Sequence, residues 1–246
     1  MSRDFTGKHY WLVGASAGLG QALAQKMSAA GVELTLSARS TDDLEELAAS
    51  LPGPAHVLPI DLADMECVAQ AVEAARDCDG MISLAGVYWP MKATEWDVDH
   101  GVAMADVNFT GNMRLLGHLV PNWVKRGHGH IMLTGSLTAF RGLPRSVGYS
   151  ATKAALVSLA ETMRADLHGT GVEVQINNPG FIRTRLTDKN DFHMPFLMEP
   201  EEAADHVWGQ LQSGKFKLSF PRLFGWMLRA TQFLPDWLYF RLLGAR

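Results

Sequence analysis

Along the first 180 residues, short apolar runs alternate with longer stretches whose apolar positions recur every three or four residues. The runs HYWLV (9–13), VELTL (32–36), AHVLPI (55–60), GMISL (80–84), HIMLT (130–134) and VEVQI (172–176) read as strands, and the stretches between them have the period of helices. Parallel strands must be joined by crossovers, and crossover helices land on the faces of the sheet. The pattern therefore predicts an α/β fold: a Rossmann-type, doubly wound parallel sheet with helices on both faces. No internal repeat, low-complexity tract or linker interrupts it, so residues 1–246 are expected to form a single domain. After Pro179 the rhythm breaks into a mixed stretch to Pro200, a helix-period segment EPEEAADHVWGQLQ, a short apolar run KFKLSF and an aromatic tail. Residues 1–185 are expected to form the cofactor-binding and catalytic core, and residues 186–246 a substrate lid and an apolar helical tail.

A hydrophobic content of 47%, a charged content of 20% and 11 prolines describe an ordinary globular chain rather than a disordered or fibrous one. The net charge of −4 leaves no basic stripe to displace counterions from phosphates, which argues against a nucleic-acid partner. Cys67 and Cys78 match neither a C-x-x-C spacing nor a disulfide framework, which suits a reducing, cytoplasmic location. No stretch reaches the roughly 18 apolar residues of a membrane span, and the charged N-terminus does not read as a signal peptide. His128 and His130 lie close together, but no third ligand is near them in the sequence; they read as a polar turn before a strand, and no metal is expected.

Between the first strand and the first helix lies GASAGLG, with Gly14, Gly18 and Gly20 spaced for a tight turn. Glycine there lets backbone approach a ligand, and the following helix offers unpaired N–H groups to a pyrophosphate. Position after the first strand and before an amphipathic helix makes this a nucleotide-binding candidate. The second strand ends in SARS, where Arg39 stands in place of the acid that would bind an adenosine ribose. An arginine can pair with a 2′-phosphate, so NADP(H) is expected in preference to NAD(H).

In YSATK, Tyr149 and Lys153 are four positions apart at the head of a helix-period run. On a helix they share one face, and an ammonium near a phenol favours the ionised phenol. Taken alone, such a pair is also what a surface aromatic and a solvated lysine would give.

The ordered set GASAGLG, DL at 61–62, LAG at 84–86, VNFTG around Asn108, TGS ending in Ser136, YSATK and NPGFIRT resembles the classical short-chain dehydrogenase/reductase family over roughly the first 185 residues. The resemblance implies that Tyr149 is the catalytic acid/base and Lys153 its cofactor-binding, pKa-lowering partner. It makes Ser136 the hydroxyl that polarises the substrate, and Asn108 the helix residue that supports a water-linked proton relay. It also implies that the glycine loop holds the cofactor through Gly14, Ser16, Ala17, Gly18, Leu19 and Gly20. Asp61 and Leu62 would lie at the adenine, Ala85 and Gly86 beside the adenosine ribose, and Pro179, Gly180, Ile182 and Thr184 around the nicotinamide carboxamide. Two positions depart from the family pattern. Val13 stands where a threonine is usual and Leu84 where an asparagine is common, so polar braces of the cofactor loops are expected to be missing.

The resemblance implies hydride transfer between a nicotinamide and a ketone or secondary alcohol. FHMPFLM (192–198) falls where the family places its lid and suggests a lipophilic substrate. A non-catalytic NADP(H)-sensing protein on the same fold, and an acyl-thioester ketoreductase, are the competing readings. A homo-oligomer is expected. The tail from Phe220 to Arg246 mixes Phe, Trp and Leu with Arg222, Arg229, Arg241 and Arg246 against one acid, Asp236. Pro221 and Pro235 would divide it into two short helices, forming an apolar surface beside the active site that serves substrate, a subunit contact or peripheral membrane association.

Overall fold

A computed structural model describes residues 3–243, so Arg246 and its two neighbours lie outside the described residues. The described strands are β1 (His9–Val13), β2 (Glu33–Ser37), β3 (Ala55–Val57), β4 (Gly80–Ser83), β5 (Gly129–Thr134), β6 (Val172–Pro179) and β7 (Lys217–Phe220). They form one parallel seven-stranded sheet in the order β3-β2-β1-β4-β5-β6-β7. The run AHVLPI closes early, at Val57, because Pro59 has no N–H to give the ladder. Leu58 and Ile60 on either side of it still donate to the carbonyls of Leu36 and Ala38. KFKLSF supplies β7, whose Phe220 lies in register with Pro179. GHGH is not a plain turn: His130 is a buried strand residue held by the Tyr10 hydroxyl and Gln175.

Alternation along β1 sets the two cores. Tyr10 and Leu12 face a cluster built with α1 (Gly18–Ala29), α2 (Thr41–Ser50) and α7 (Pro200–Ser213), through Leu23, Met27, Leu44, Val207 and Leu211. Trp11 and Val13 face the opposite cluster, built with α3 (Met65–Ala75), α5 (Gly111–Arg126) and α6 (Tyr149–Asp166) through Val72, Leu119, Trp123 and Leu156. Apolar side chains thus leave the sheet on both sides, as a sheet covered on both faces requires.

The strand order reverses between β1 and β4, which opens a crevice at the carboxyl ends of the strands. Around that edge, α4 (Val98–Ala105) runs through one π turn, Asp106–Thr110, into α5. The described residues close with α8 (Arg222–Ala230) and α9 (Asp236–Leu243), separated near Pro235.

Candidate active site

The glycine loop closes one side of the crevice, and its contacts leave no room for side chains. A Cβ on Gly14, whose φ is +91°, would lie 2.5 Å from the Ala85 nitrogen, and one on Gly20 would lie 2.0 Å from the Gly14 carbonyl oxygen. A Cβ on Gly18 would meet the Thr184 methyl at 2.6 Å, so the loop and the segment after β6 face each other across the cleft. Helix α1, with Ala17 at its N-cap, has no side-chain cap and no acid in its first turn. An uncapped helix start beside a glycine cradle fits an anionic pyrophosphate.

The departures at Val13 and Leu84 do not leave the loops unbraced. The Val13 carbonyl accepts from the backbone nitrogens of Leu84 at 2.8 Å and Ala85 at 3.0 Å, and the Ser37 carbonyl accepts from Gly14 and Ala15. Main chain thus ties these loops together where Val13 and Leu84 offer no polar side chain. At the end of β2, Arg39 is exposed and forms no ion pair among the described residues. Asp61 is exposed, with one carboxylate oxygen accepting from the Ala63 nitrogen, while Leu62 is buried and its carbonyl accepts from Arg114.

Asn108 from the π turn, Ser136 from the end of β5, and Tyr149 and Lys153 from the first turns of α6 come to one place. Asn108 sits in the π turn, fully buried. Its Oδ1 accepts from the Val87 nitrogen at 2.7 Å, and its Nδ2 donates to the Val87 carbonyl at 2.9 Å and to Thr152 Oγ1 at 3.3 Å. The side chain is therefore a clamp joining the loop after β4 to α6. A Cβ on Gly86 would lie 3.3 Å from Asn108 Oδ1 and 3.6 Å from Lys153 Nζ, which puts the β4 loop directly over the buried lysine. Lys153 Nζ donates to the Thr134 carbonyl at 2.9 Å and lies 5.6 Å from the centre of the Tyr149 ring.

Ser136 follows β5 and accepts from the Thr138 nitrogen at 3.2 Å, so its own O–H can be turned towards the Tyr149 oxygen. Tyr149 opens α6. Burial pushes its phenol up to about 12, with the nearby Ser136 hydroxyl drawing it partly back and Tyr88 pushing it further up. The net direction is upward, where a lysine sharing the helix face would by itself lower the phenol. Here desolvation of the phenolate is the largest influence, and Lys153 aims its nitrogen at the Thr134 carbonyl. Burial also draws Lys153 itself down to about 8.

A pocket of about 550 Å³, counted with its open mouth, is lined by Ser136 and Tyr149 among apolar walls that include Leu143, Leu186 and Leu228. Two of its residues, Tyr88 and Asn190, carry no signal in the sequence. The Tyr88 ring meets Tyr149 edge-on at 4.9 Å and its hydroxyl donates to Asn190 Oδ1 at 3.1 Å. Phe181 stacks on Phe224 at 5.8 Å, and Phe196 on Phe224 at 5.5 Å, so the expected lid segment is tied to α8 by a chain of rings. Elsewhere, at the amino edge of the sheet, His9, Glu33 and His56 gather, but the ring of His56 is paired with Glu33 and that of His9 with Thr35.

An uncapped glycine cleft at the strand switch, with a tyrosine, a serine and a buried lysine at its inner end, defines a nucleotide-binding α/β oxidoreductase. Residues 8–194 match the family model described as short chain dehydrogenase, and the chain belongs to that family. It is 32% identical over 235 residues to an uncharacterized oxidoreductase of Myxococcus xanthus, with 93% of each chain covered. It also resembles the L-sorbose reductase of Gluconobacter frateurii, solved with NADPH and L-sorbose, with a TM-score of 0.78, 25% identity and coverage of 89% and 96% of the two chains. A short-chain dehydrogenase from Burkholderia cenocepacia, solved with NADP, shares the fold with a TM-score of 0.87 at 24% identity, covering 99% and 100% of the two chains.

Proposed function

We propose that this oxidoreductase is NADP(H)-dependent and interconverts a ketone and a secondary alcohol on an apolar substrate. The observation that carries the reading is the meeting of Ser136 and Tyr149 in an apolar-walled pocket that adjoins the glycine cleft through buried Lys153. Gly14, Ser16, Ala17, Gly18, Leu19 and Gly20 would hold the pyrophosphate, Asp61 and Leu62 the adenine, and Ala85 and Gly86 the adenosine ribose. Pro179, Gly180, Ile182 and Thr184 would border the nicotinamide end, with Lys153 at the neighbouring ribose. When bound, the nicotinamide cofactor supplies or accepts the hydride.

A phenol raised to about 12 keeps its proton at neutral pH, which makes Tyr149 a proton donor ready for a carbonyl oxygen that gains negative charge. The Ser136 hydroxyl, beside the Tyr149 phenol, would turn its donor to the same oxygen and stabilise that charge. The Lys153 ammonium favours the phenolate left behind, so the proton moves towards substrate in reduction and returns in oxidation. Asn108 positions this set by clamping the Val87 loop to α6. The exposed Arg39 suits a 2′-phosphate, and the NADPH-bound sorbose reductase supports the same cofactor. The apolar lining of the pocket favours a lipophilic substrate, and the two free thiols, Cys67 and Cys78, suit a reducing location.

Turnover of a graded series of ketones and alcohols, followed by nicotinamide absorbance, tests the reading against a non-catalytic sensor. Tyr149→Phe is expected to lower kcat by about 100-fold or more while NADPH still binds. Arg39→Asp is expected to weaken NADPH binding about ten- to a hundredfold and leave NADH use unharmed. Equal use of both cofactors by the unaltered protein, or full activity of Tyr149→Phe, would overturn the proposal.

A further inference from the structure

Helices α8 and α9 leave an unusual surface open. Leu223 (62%), Trp226 (72%) and Met227 (55%) are exposed at positions three and four apart, so they share one face of α8. Phe224 and Leu228 take the other side of the same helix and line the pocket. The connecting turn exposes Phe233 at 83%, and α9 exposes Trp237 (67%) and Phe240 (65%), again three apart. Such surface in water is unfavourable and marks an interaction site. Scattered exposed apolar residues are common, but here six large ones fall within eighteen positions of a segment that is itself firmly docked.

Its charge points to the occupant. Arg222 and Arg229 flank Trp226 at four and three positions, and Arg241 lies four from Trp237. All three are exposed, and none forms an ion pair among the described residues. The one acid of the segment, Asp236, is already paired with Arg141. A second copy brought symmetrically onto this face would set arginines against arginines with no acid there to pair them. Anionic headgroups complement the arginines, and the exposed tryptophans suit the boundary between headgroups and acyl chains. No described helix is long and apolar enough to cross a membrane, so the segment would lie on the surface.

We propose that α8, the turn at Phe233 and α9 form a docking face for an anionic lipid surface. Docking stands apart from the proposed reaction. That α8 also walls the pocket places the active site just behind the lipid contact, a consequence that does rest on the pocket taking an apolar substrate.

The test uses the full chain with vesicles of phosphatidylcholine alone or mixed with phosphatidylserine, read by co-sedimentation and by the blue shift of tryptophan fluorescence. Binding is expected to the mixed vesicles, weakened by salt as screening predicts. The double variant Trp226→Ser/Trp237→Ser is expected to bind at least about tenfold more weakly, and Arg222→Glu/Arg229→Glu by roughly fivefold or more per arginine. Both variants should keep an unchanged circular dichroism spectrum and unchanged turnover of a small water-soluble ketone. Failure to bind the mixed vesicles, or binding that neither variant weakens, would overturn the proposal. So would a lipid-free dimer, measured by sedimentation equilibrium, that falls apart in the tryptophan variant, since that result would assign the face to a second copy. Because vesicle binding is read without substrate or cofactor, its failure is distinguishable from failure of the proposed reaction.

Discussion

Lys153 is only 3% exposed, and its described hydrogen bond is to a carbonyl, not a carboxylate. Burial of the charge draws its pKa from 10.5 down to about 8, equivalent to about 3 kcal/mol of disfavoured protonation. An unfolded lysine holds its proton up to the higher value. The penalty is therefore complete below about pH 8 and fades as pH rises from 8 towards 10.5. Lys153→Met removes the buried charge but also leaves the Thr134 carbonyl without its donor, which offsets about 1 kcal/mol. The variant is expected to be more stable than the unaltered, ligand-free protein by about 2 kcal/mol at pH 7, a rise in Tm of about 5 °C, and to lose turnover. Denaturant unfolding at pH 7 and pH 10 checks it: the advantage should shrink at the higher pH. An advantage independent of pH would mean that the lysine is not the source.

At the scale of elements, the last turn of the fold is fastened by one arginine from the loop after β5. Arg141 donates to the carbonyls of Thr231 at 2.6 Å and Leu234 at 2.8 Å, pairs with Asp236, and stacks 3.8 Å from the centre of the Tyr239 ring. Tyr239 in turn donates to the Gly142 carbonyl at 2.5 Å. Arg141→Ala removes the two bonds to carbonyls, the pair with Asp236 and the ring contact at once, and leaves two carbonyls to find water. It is expected to release α9 and open the stretch between Thr231 and Asp236 to limited proteolysis, while the sheet stays intact; unchanged cleavage kinetics would show that Tyr239 alone holds the helix.

The same loop shows where sequence stops being informative. The run HYWLV was legible as a strand of a sheet covered on both faces, because a strand apolar at every position has no face left for water. Gly14, Gly18 and Gly20 were equally legible, since their role depends on backbone space that any side chain would fill. The π turn that carries Asn108, the edge-on pair of Tyr88 and Tyr149, and the rings joining Phe196 to Phe224 were not, since each depends on contacts between segments far apart in the chain. The raised phenol of Tyr149 was missed for a related reason. A spacing of four gives the shared helix face but not the direction in which Lys153 points its nitrogen, nor how dry the ring is.

For the whole molecule, every described pairing in the sheet is parallel, so no strand meets its neighbour through a tight turn. β1 is flanked by β2 and β4, with Tyr10 in register with Gly80, and the two walls of the cofactor crevice, Gly18 and Thr184, stand far apart in the chain. Seen from the ribosome, this layout imposes an order of events. The glycine loop is made first, yet its support at Ala85 emerges only after three crossovers, and its opposite wall only after β6. From the end of β4 at Ser83 until β5 is made, between Gly129 and Thr134, the open edge of β4 has no partner. Non-local parallel pairing is slow and leaves such edges prone to association. Chains stalled before Thr184 emerges are therefore expected to be cut readily by protease whether or not NADPH is present, with cofactor protection appearing only in longer chains. Protection of the shorter chains would show that the glycine side of the crevice binds on its own.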